Sequence, residues 1–201
     1  MKTILTVDLD IVMSDIMQEY DKYSGCVGEG MWVSELEKTY PKLSELEVKL
    51  EYFDRITNYL ISLGLDKSKF HFVENHMDAV NYVPKDEDYI LVNLDYHGDL
   101  VSGDFGVNEP TFMNNGNWVY YLFKNGYLKQ YTQICGGDVI LEFTDYSPLY
   151  PYLKGYECHL GGLDRYDLEA LRPDEVILCA SKPWLPERYW YLFDKWKELF
   201  E

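Results

Sequence analysis

Three potential metal ligands stand at every second residue in Asp95-Tyr96-His97-Gly98-Asp99, directly after the apolar run Tyr89-Ile90-Leu91-Val92-Asn93-Leu94. On an extended chain Asp95, His97 and Asp99 would project to one side, and Gly98 would let the backbone bend around an ion. Two carboxylates and an imidazole at a strand end suit a divalent cation. Asp8 and Asp10 repeat the alternation after the apolar start Thr3-Ile4-Leu5-Thr6-Val7. His76 follows a third strand-like run, Phe70-His71-Phe72-Val73-Glu74, and so takes the same place at a strand end, whereas His71 falls at the opposite edge and reads as structural. Together Asp8, Asp10, His76, Asp95, His97 and Asp99 make an oxygen-rich donor set, which fits two Mn²⁺-like ions better than structural zinc.

The elements that must position these residues alternate between strands and helices. Strands are expected at 3–10, 70–74, 89–94, 128–134, 139–143, 158–160 and 175–181. Helices are expected from a Ser14 cap to about Lys22, at 75–80, from 116 until Asn125-Gly126 closes it, at 163–171 and at 188–200. Between 32 and 63 the pattern is helical with a break at Pro41. Leu43, Leu46, Leu50, Phe53, Ile56, Leu60 and Leu63 recur at three- and four-residue steps, predicting one amphipathic helix that Gly64 ends. Gly25, Gly28 and Gly30 mark a turn. Residues 101–115 read as a loop lining the site, and 146–156, rich in aromatics and proline, as an irregular wall. The alternation predicts an α/β fold, a three-layer α/β/α sandwich with a mostly parallel sheet. In open sheets of that kind ligands bind at the carboxyl ends of the strands, where all six donors fall. With neither internal repeats nor a long linker, residues 1–201 read as a single domain.

Composition limits the partners. The 35 acidic residues against 18 basic give a net charge of −17, which disfavours a nucleic-acid backbone and favours a cationic ligand or peptide. Cys26, Cys135, Cys158 and Cys179 lack C-x-x-C spacing, so neither a zinc ribbon nor a disulfide framework is indicated. The apolar run at the start is too short for a signal peptide, and no 18-residue apolar segment follows. The expectation is a soluble cytoplasmic protein that neither spans nor binds a membrane.

A lone histidine, a D-x-H-x-D and a D-x-D resemble the site of the arginase and agmatinase (ureohydrolase) superfamily. Their counterparts here are His76, Asp95 to Asp99, and Asp8 to Asp10. The D-x-D comes last in arginases and first here, so the resemblance implies an arginase/deacetylase-like fold that is circularly permuted. The chain is also similar to the small arginase-like branch that includes peptide arginases, through Val73-Glu74-Asn75-His76, the D-x-H-x-D, Gly116-Asn117-Trp118 and Ala180-Ser181-Lys182-Pro183. What the resemblance implies is a manganese-dependent hydrolase turning an arginine side chain, in a ribosomally made peptide or a small guanidino compound, into ornithine and urea. Asp8 and Asp95 would bridge two Mn²⁺, His76 and Asp99 would complete one shell, and His97 and Asp10 the other. Asp99 is the candidate proton carrier. Glu74, Asn117, Trp118, Ser181 and Glu187 are candidates for orienting ligands or holding substrate.

Two departures from the arginase pattern are visible. Gly116-Asn117 is followed by Trp118 where arginases place a catalytic histidine, and the carboxylate that receives the guanidinium is left open among Glu142, Asp145, Glu157 and Glu187. Three other readings remain. The stretch from Ile4 to Val12 also resembles the first motif of haloacid-dehalogenase-type phosphatases, with Asp8 as nucleophile and Asp10 as acid/base. A deacetylase-like amidohydrolase is a variant of the main reading, and a non-catalytic acidic peptide-binding module is the third.

Overall fold

A computed structural model of the protein describes residues 1–13, 16, 19–20, 33–100, 113–136 and 157–201, without the side chains of 157–160. Its centre is a six-stranded sheet formed by β1 (Lys2–Asp8), β2 (Phe70–Val73), β3 (Tyr89–Leu94), β4 (Leu128–Cys135), β5 (Glu157–Gly162) and β6 (Glu175–Cys179). The spatial order is β2-β6-β1-β3-β4-β5, and every pairing is parallel. The reason is legible in β1, β3 and β6, whose aliphatic runs are buried on both faces, as a parallel sheet requires.

Apolar layers cover both faces. On one, Leu5, Val7, Val92, Leu94, Val176 and Leu178 pack under α1 (Val33–Thr39), α2 (Leu50–Ser62) and α4 (Tyr191–Phe200). There Phe53 stacks on Trp196 at 5.2 Å and the Trp196 indole donates to Thr57 Oγ1 at 2.8 Å, so even the largest core side chain has its polar atom paired. On the other face Ile4, Leu91, Tyr131 and Ile177 meet the 3₁₀ turn His76–Asn81 and α3 (Trp118–Lys124). The chain leaves β1 toward β2 on one side and β3 toward β4 on the other. The gap between β1 and β3 is thus a topological switch point, where an open parallel sheet presents a crevice.

Several elements differ from expectation. β1 stops at Asp8, and Asp10 lies in the 3₁₀ turn Leu9–Met13. The helix expected from Leu43 starts only at Leu50. Pro41 opens a short 3₁₀ turn, Leu46 is extended, and the Lys49 N–H donates to Val12 O at 2.9 Å, so tertiary bonds replace helical ones over that stretch. Leu50, placed on the buried stripe by periodicity, is exposed. Gly64, at φ +60°, ends α2 as expected, and Gly126, at φ +86°, follows α3. The helix expected at 75–80 is the 3₁₀ turn His76–Asn81.

Residues 163–171 make two 3₁₀ turns, Leu163–Arg165 and Leu168–Ala170, because Arg55 on α2 takes the carbonyls of Leu163 and Tyr166 at 2.6 and 2.7 Å. Ser181 is left-handed at φ 47°, ending β6 earlier than expected. After Pro186, the 3₁₀ turn Glu187–Tyr189 delays α4 to Tyr191. Most of the helix expected at 14–22, the glycine turn at 25–30, most of the 101–115 loop, the strand at 139–143 and the wall at 146–156 lie outside the described residues. Among the described residues, no helix is long and apolar enough to cross a membrane.

Candidate metal centre

All six candidate ligands gather at the carboxyl edge of the sheet, but not by staying extended. β3 ends at Leu94, after which the chain curls. The His97 N–H donates to Asp95 Oδ1 at 2.8 Å, and Asp99 sits in the left-handed region at φ 49°. After β1 the same device recurs, with the Asp10 N–H on Asp8 Oδ1 at 3.2 Å. These are side-chain to backbone turns, in which aspartate bonds the amide two residues on. The Tyr96 N–H donates to Asp10 Oδ1 at 3.3 Å, tying one turn to the other.

His76 arrives from β2, which is separated from β1 by β6. It reaches across because the intervening strand ends in the small residues Cys179-Ala180-Ser181, with the Ala180 N–H bonded to Val73 O at 3.0 Å. The outcome is a tight group. His76 Nδ1 lies 3.1 Å from Asp8 Oδ2, 3.0 Å from Asp95 Oδ2 and 2.8 Å from Asp99 Oδ2. His97 Nδ1 lies 2.9 Å from Asp10 Oδ2. Two triads, Asp8-His76-Asp95 and Asp10-Asp95-His97, each offer ligand atoms within 4.8 Å of one another, and Asp95 belongs to both.

The donor set fits a cation on an observation independent of motif. Three carboxylate oxygens crowd His76 Nδ1, yet neither ring nitrogen of His76 has a hydrogen-bond partner of good geometry. One N–H can be aimed at one acceptor, so a proton cannot satisfy the group, whereas a metal ion takes several ligand atoms at once, as either triad offers; Asp99 belongs to neither triad. Among the described residues the only charged partners of Asp8, Asp10, Asp95 and Asp99 are His76 and His97. The buried Asp and His side chains can therefore hold metal.

Without metal, the site keeps protons. Burial, with Asp8 and Asp95 beside it, pushes Asp10 far up against the opposing pull of His97, and burial plus Asp99 moves Asp95 up to about 6. Burial alone would lower His76, but the charges of Asp8 and Asp99 outweigh it and hold the ring well above its usual range. His97 reaches about 10 because its bond to Asp10 overcomes desolvation. Asp8 goes down, burial being outweighed by His76, the Ser181 side chain and the Asp10 amide.

The other candidates divide. Trp118 belongs to the site: its indole N–H donates to Asp99 Oδ2 at 2.5 Å, and its ring lies 4.9 Å from that of His76. Ser181 bonds Asp8. Asn117 accepts from the Asn114 N–H at 2.8 Å and shapes the turn into α3. Glu74 points elsewhere, pairing with Lys182 at 2.7 Å and Lys197 at 3.7 Å. Glu187 is exposed on its 3₁₀ turn. Glu142 and Asp145 lie outside the described residues, as does the Glu157 side chain.

No protein-family model, curated protein or solved structure matches the chain.

Sequence reasoning overlooked a polar row beneath the aspartates. Thr6, Asn93 and Gln133 stand in register on β1, β3 and β4, each buried. Thr6 donates to Asn93 Oδ1 at 2.6 Å, which turns the Asn93 amide N–H groups toward Asp95 Oδ2 at 3.1 Å and the Tyr131 hydroxyl at 3.2 Å. Tyr131 in turn donates to the Gly98 carbonyl at 2.8 Å, bracing the curled loop. The signal was present: an asparagine and a glutamine inside otherwise apolar strands need buried partners.

Proposed function

We propose that this chain is a divalent-metal-dependent hydrolase of arginase type, with a circularly permuted arginase-like fold, that cleaves the guanidinium of an arginine side chain in a ribosomally made peptide to ornithine and urea. The observation that carries it is the pair of overlapping triads sharing Asp95, the arrangement expected of a centre for two ions. The D-x-H-x-D, the lone histidine and the D-x-D supply the likeness to ureohydrolases. A phosphatase built on Asp8 and Asp10 would leave His76, Asp95, His97 and Asp99 without a role.

In this reading His76, Asp8, Asp95 and Asp99 would hold one Mn²⁺, and Asp10 and His97, with Asp95 and Asp8, would hold the other. When bound, such ions supply Lewis acidity and a water acidified to near neutral pH. Asn93 orients Asp95, and the Trp118 indole fixes Asp99 Oδ2, so the carboxylates are aimed before any ligand arrives. Asp99 carries the proton to the departing amine.

The test is elemental analysis and a urea assay on manganese-loaded protein with an arginine-containing peptide. About two ions per chain and urea release are expected, both lost in Asp95→Ala and His97→Ala. Full activity in either variant, or turnover of a phosphate ester or acylated amine with no urea, would overturn the assignment.

A further inference from the structure

The six candidate ligands are unequally covered. Five leave 6% or less of their side-chain surface exposed, whereas His97 leaves 35%. Access to the cluster is thus on the His97 side. Two aromatic rings flank it there, Tyr96 edge-on at 4.9 Å and Trp184 tilted at 5.1 Å between ring centroids. Trp118 and Trp196 are fully buried and fill the core, but Trp184 is 36% exposed. Its position is nonetheless fixed. It closes the 3₁₀ turn Lys182–Trp184, its N–H donates to Ser181 O at 2.9 Å, and Pro183 and Pro186 stiffen the backbone on either side. The ammonium carried by the same turn is drawn away: Lys182 pairs with Glu74 at 2.7 Å and lies 5.5 Å over the Trp190 ring.

We infer that Trp184, with Tyr96 beside it, is the substrate-positioning residue at the mouth of the centre, receiving a planar cation on its indole face. The chain's net charge of −17 attracts positive charge, and an exposed indole beside His97 offers the π-face on which a cation rests. A guanidinium is planar and weakly hydrated, so it stacks on an aromatic ring while its N–H edges stay free to donate, whereas a compact ammonium holds its water. A neutral acylated amine gains no electrostatic attraction there. The location follows from geometry, and the choice of guanidinium rests on the proposed function.

Two measurements separate the two. In manganese-loaded protein, Trp184→Ala should raise KM for an arginine-containing peptide about tenfold. Its kcat should stay within about twofold of wild type and its manganese content should not change, as removal of ground-state binding requires. Trp184→Phe should recover most of the loss. Tyr82→Ala, which removes the ring stacked 4.5 Å from His71 at the opposite edge of the sheet, should leave KM unchanged. The second measurement needs no turnover: calorimetric titration of methylguanidinium and of methylammonium into the same manganese-loaded proteins. Methylguanidinium binding that is weakened in Trp184→Ala and restored in Trp184→Phe supports the inference even when no urea forms, in which case only the arginase reading fails. Equal affinity in wild type and Trp184→Ala, no binding by wild type, or no preference over methylammonium overturns it.

Discussion

The two edges of one sheet hold the same residue types and solve opposite problems. At the amino edge Glu175 faces two lysines, Lys2 at 3.2 Å and Lys69 at 3.9 Å, with His71 Nε2 at 3.0 Å, and a tyrosine stacks on the histidine. At the carboxyl edge four aspartates face two histidines, and a tryptophan and a tyrosine flank the more exposed ring. The first edge is satisfied by its own lysines and partly open to water. The second is buried with anion in excess, and nothing among the described side chains neutralises it. A carboxylate beside a histidine is therefore no sign of a site. The sign is a buried excess of carboxylates that retained protons or a bound cation must offset.

Breaking that contrast is most direct with metal. A divalent ion at a hundredfold excess over its Kd should stabilise the folded chain by about 2.7 kcal/mol, which for about 200 residues raises Tm by about 5–10 °C. In Asp95→Ala, which strikes both triads, the thermal shift should vanish, while in Glu175→Gln it should persist. A shift retained by Asp95→Ala would place the ion elsewhere.

A smaller effect is expected one step out. Asn93→Ala removes the amide that orients Asp95 and leaves the Thr6 hydroxyl without its partner. Metal affinity should fall about 10–100-fold, the usual cost of losing an outer-shell partner. An unchanged Kd by calorimetry would show that the Thr6-Asn93 row supports the fold alone.

The smallest effect is in pH, and there the edges should differ in sign. Burial tends to raise Glu175, but its bonds to His71 and Lys2 win and its pKa is lowered. Its stabilisation is present above the unfolded carboxylate value and is lost as pH falls through the folded one. At the carboxyl edge of the metal-free protein, Asp95 at about 6 and His97 at about 10 are both raised. Stability from His97 is complete below its unfolded value near 6.5 and lost as pH climbs toward 10, and that from Asp95 is lost as pH rises through 6. Metal-free Tm should thus decline on the alkaline side, while on the acidic side the loss from Glu175 sets in only below its unfolded value and is opposed by Asp95. Because a metal must displace these protons, ion affinity should increase with pH across the same alkaline range. Thermal scans from pH 4 to 10 with and without Mn²⁺ check both signs. A metal-free Tm that is flat between pH 7 and 10 would remove His97 from the charged cluster.

Much of the fold was legible because it rests on local chemistry. Continuous aliphatic runs announced β1, β3 and β6, the Leu128 to Ile134 run announced β4, and Gly64 and Gly126 marked helix ends through the backbone conformation they permit. Misreadings fall where distant atoms compete for the backbone. Periodicity from Leu43 to Leu50 is helical, but Val12 and Arg188 take the polar groups of that stretch, Arg188 donating to Leu46 O at 2.7 Å. The 163–171 helix gives way to Arg55 in the same manner.

For the site, the sequence alone determined the donors and their strand ends: four aspartates, two histidines, and a charge balance that favours cations. Alternation suggested a common face, yet the real arrangement comes from two aspartate turns that the D-x-D and D-x-H-x-D spacing permits without requiring. Only tertiary structure decided that β3 ends beside β1 and β2 one strand beyond, that small residues let His76 cross β6, that Trp118 holds Asp99, and that Trp184 stands beside His97. Strand order and long-range side-chain pairing depend on how whole layers pack, and no local pattern encodes which strand ends meet.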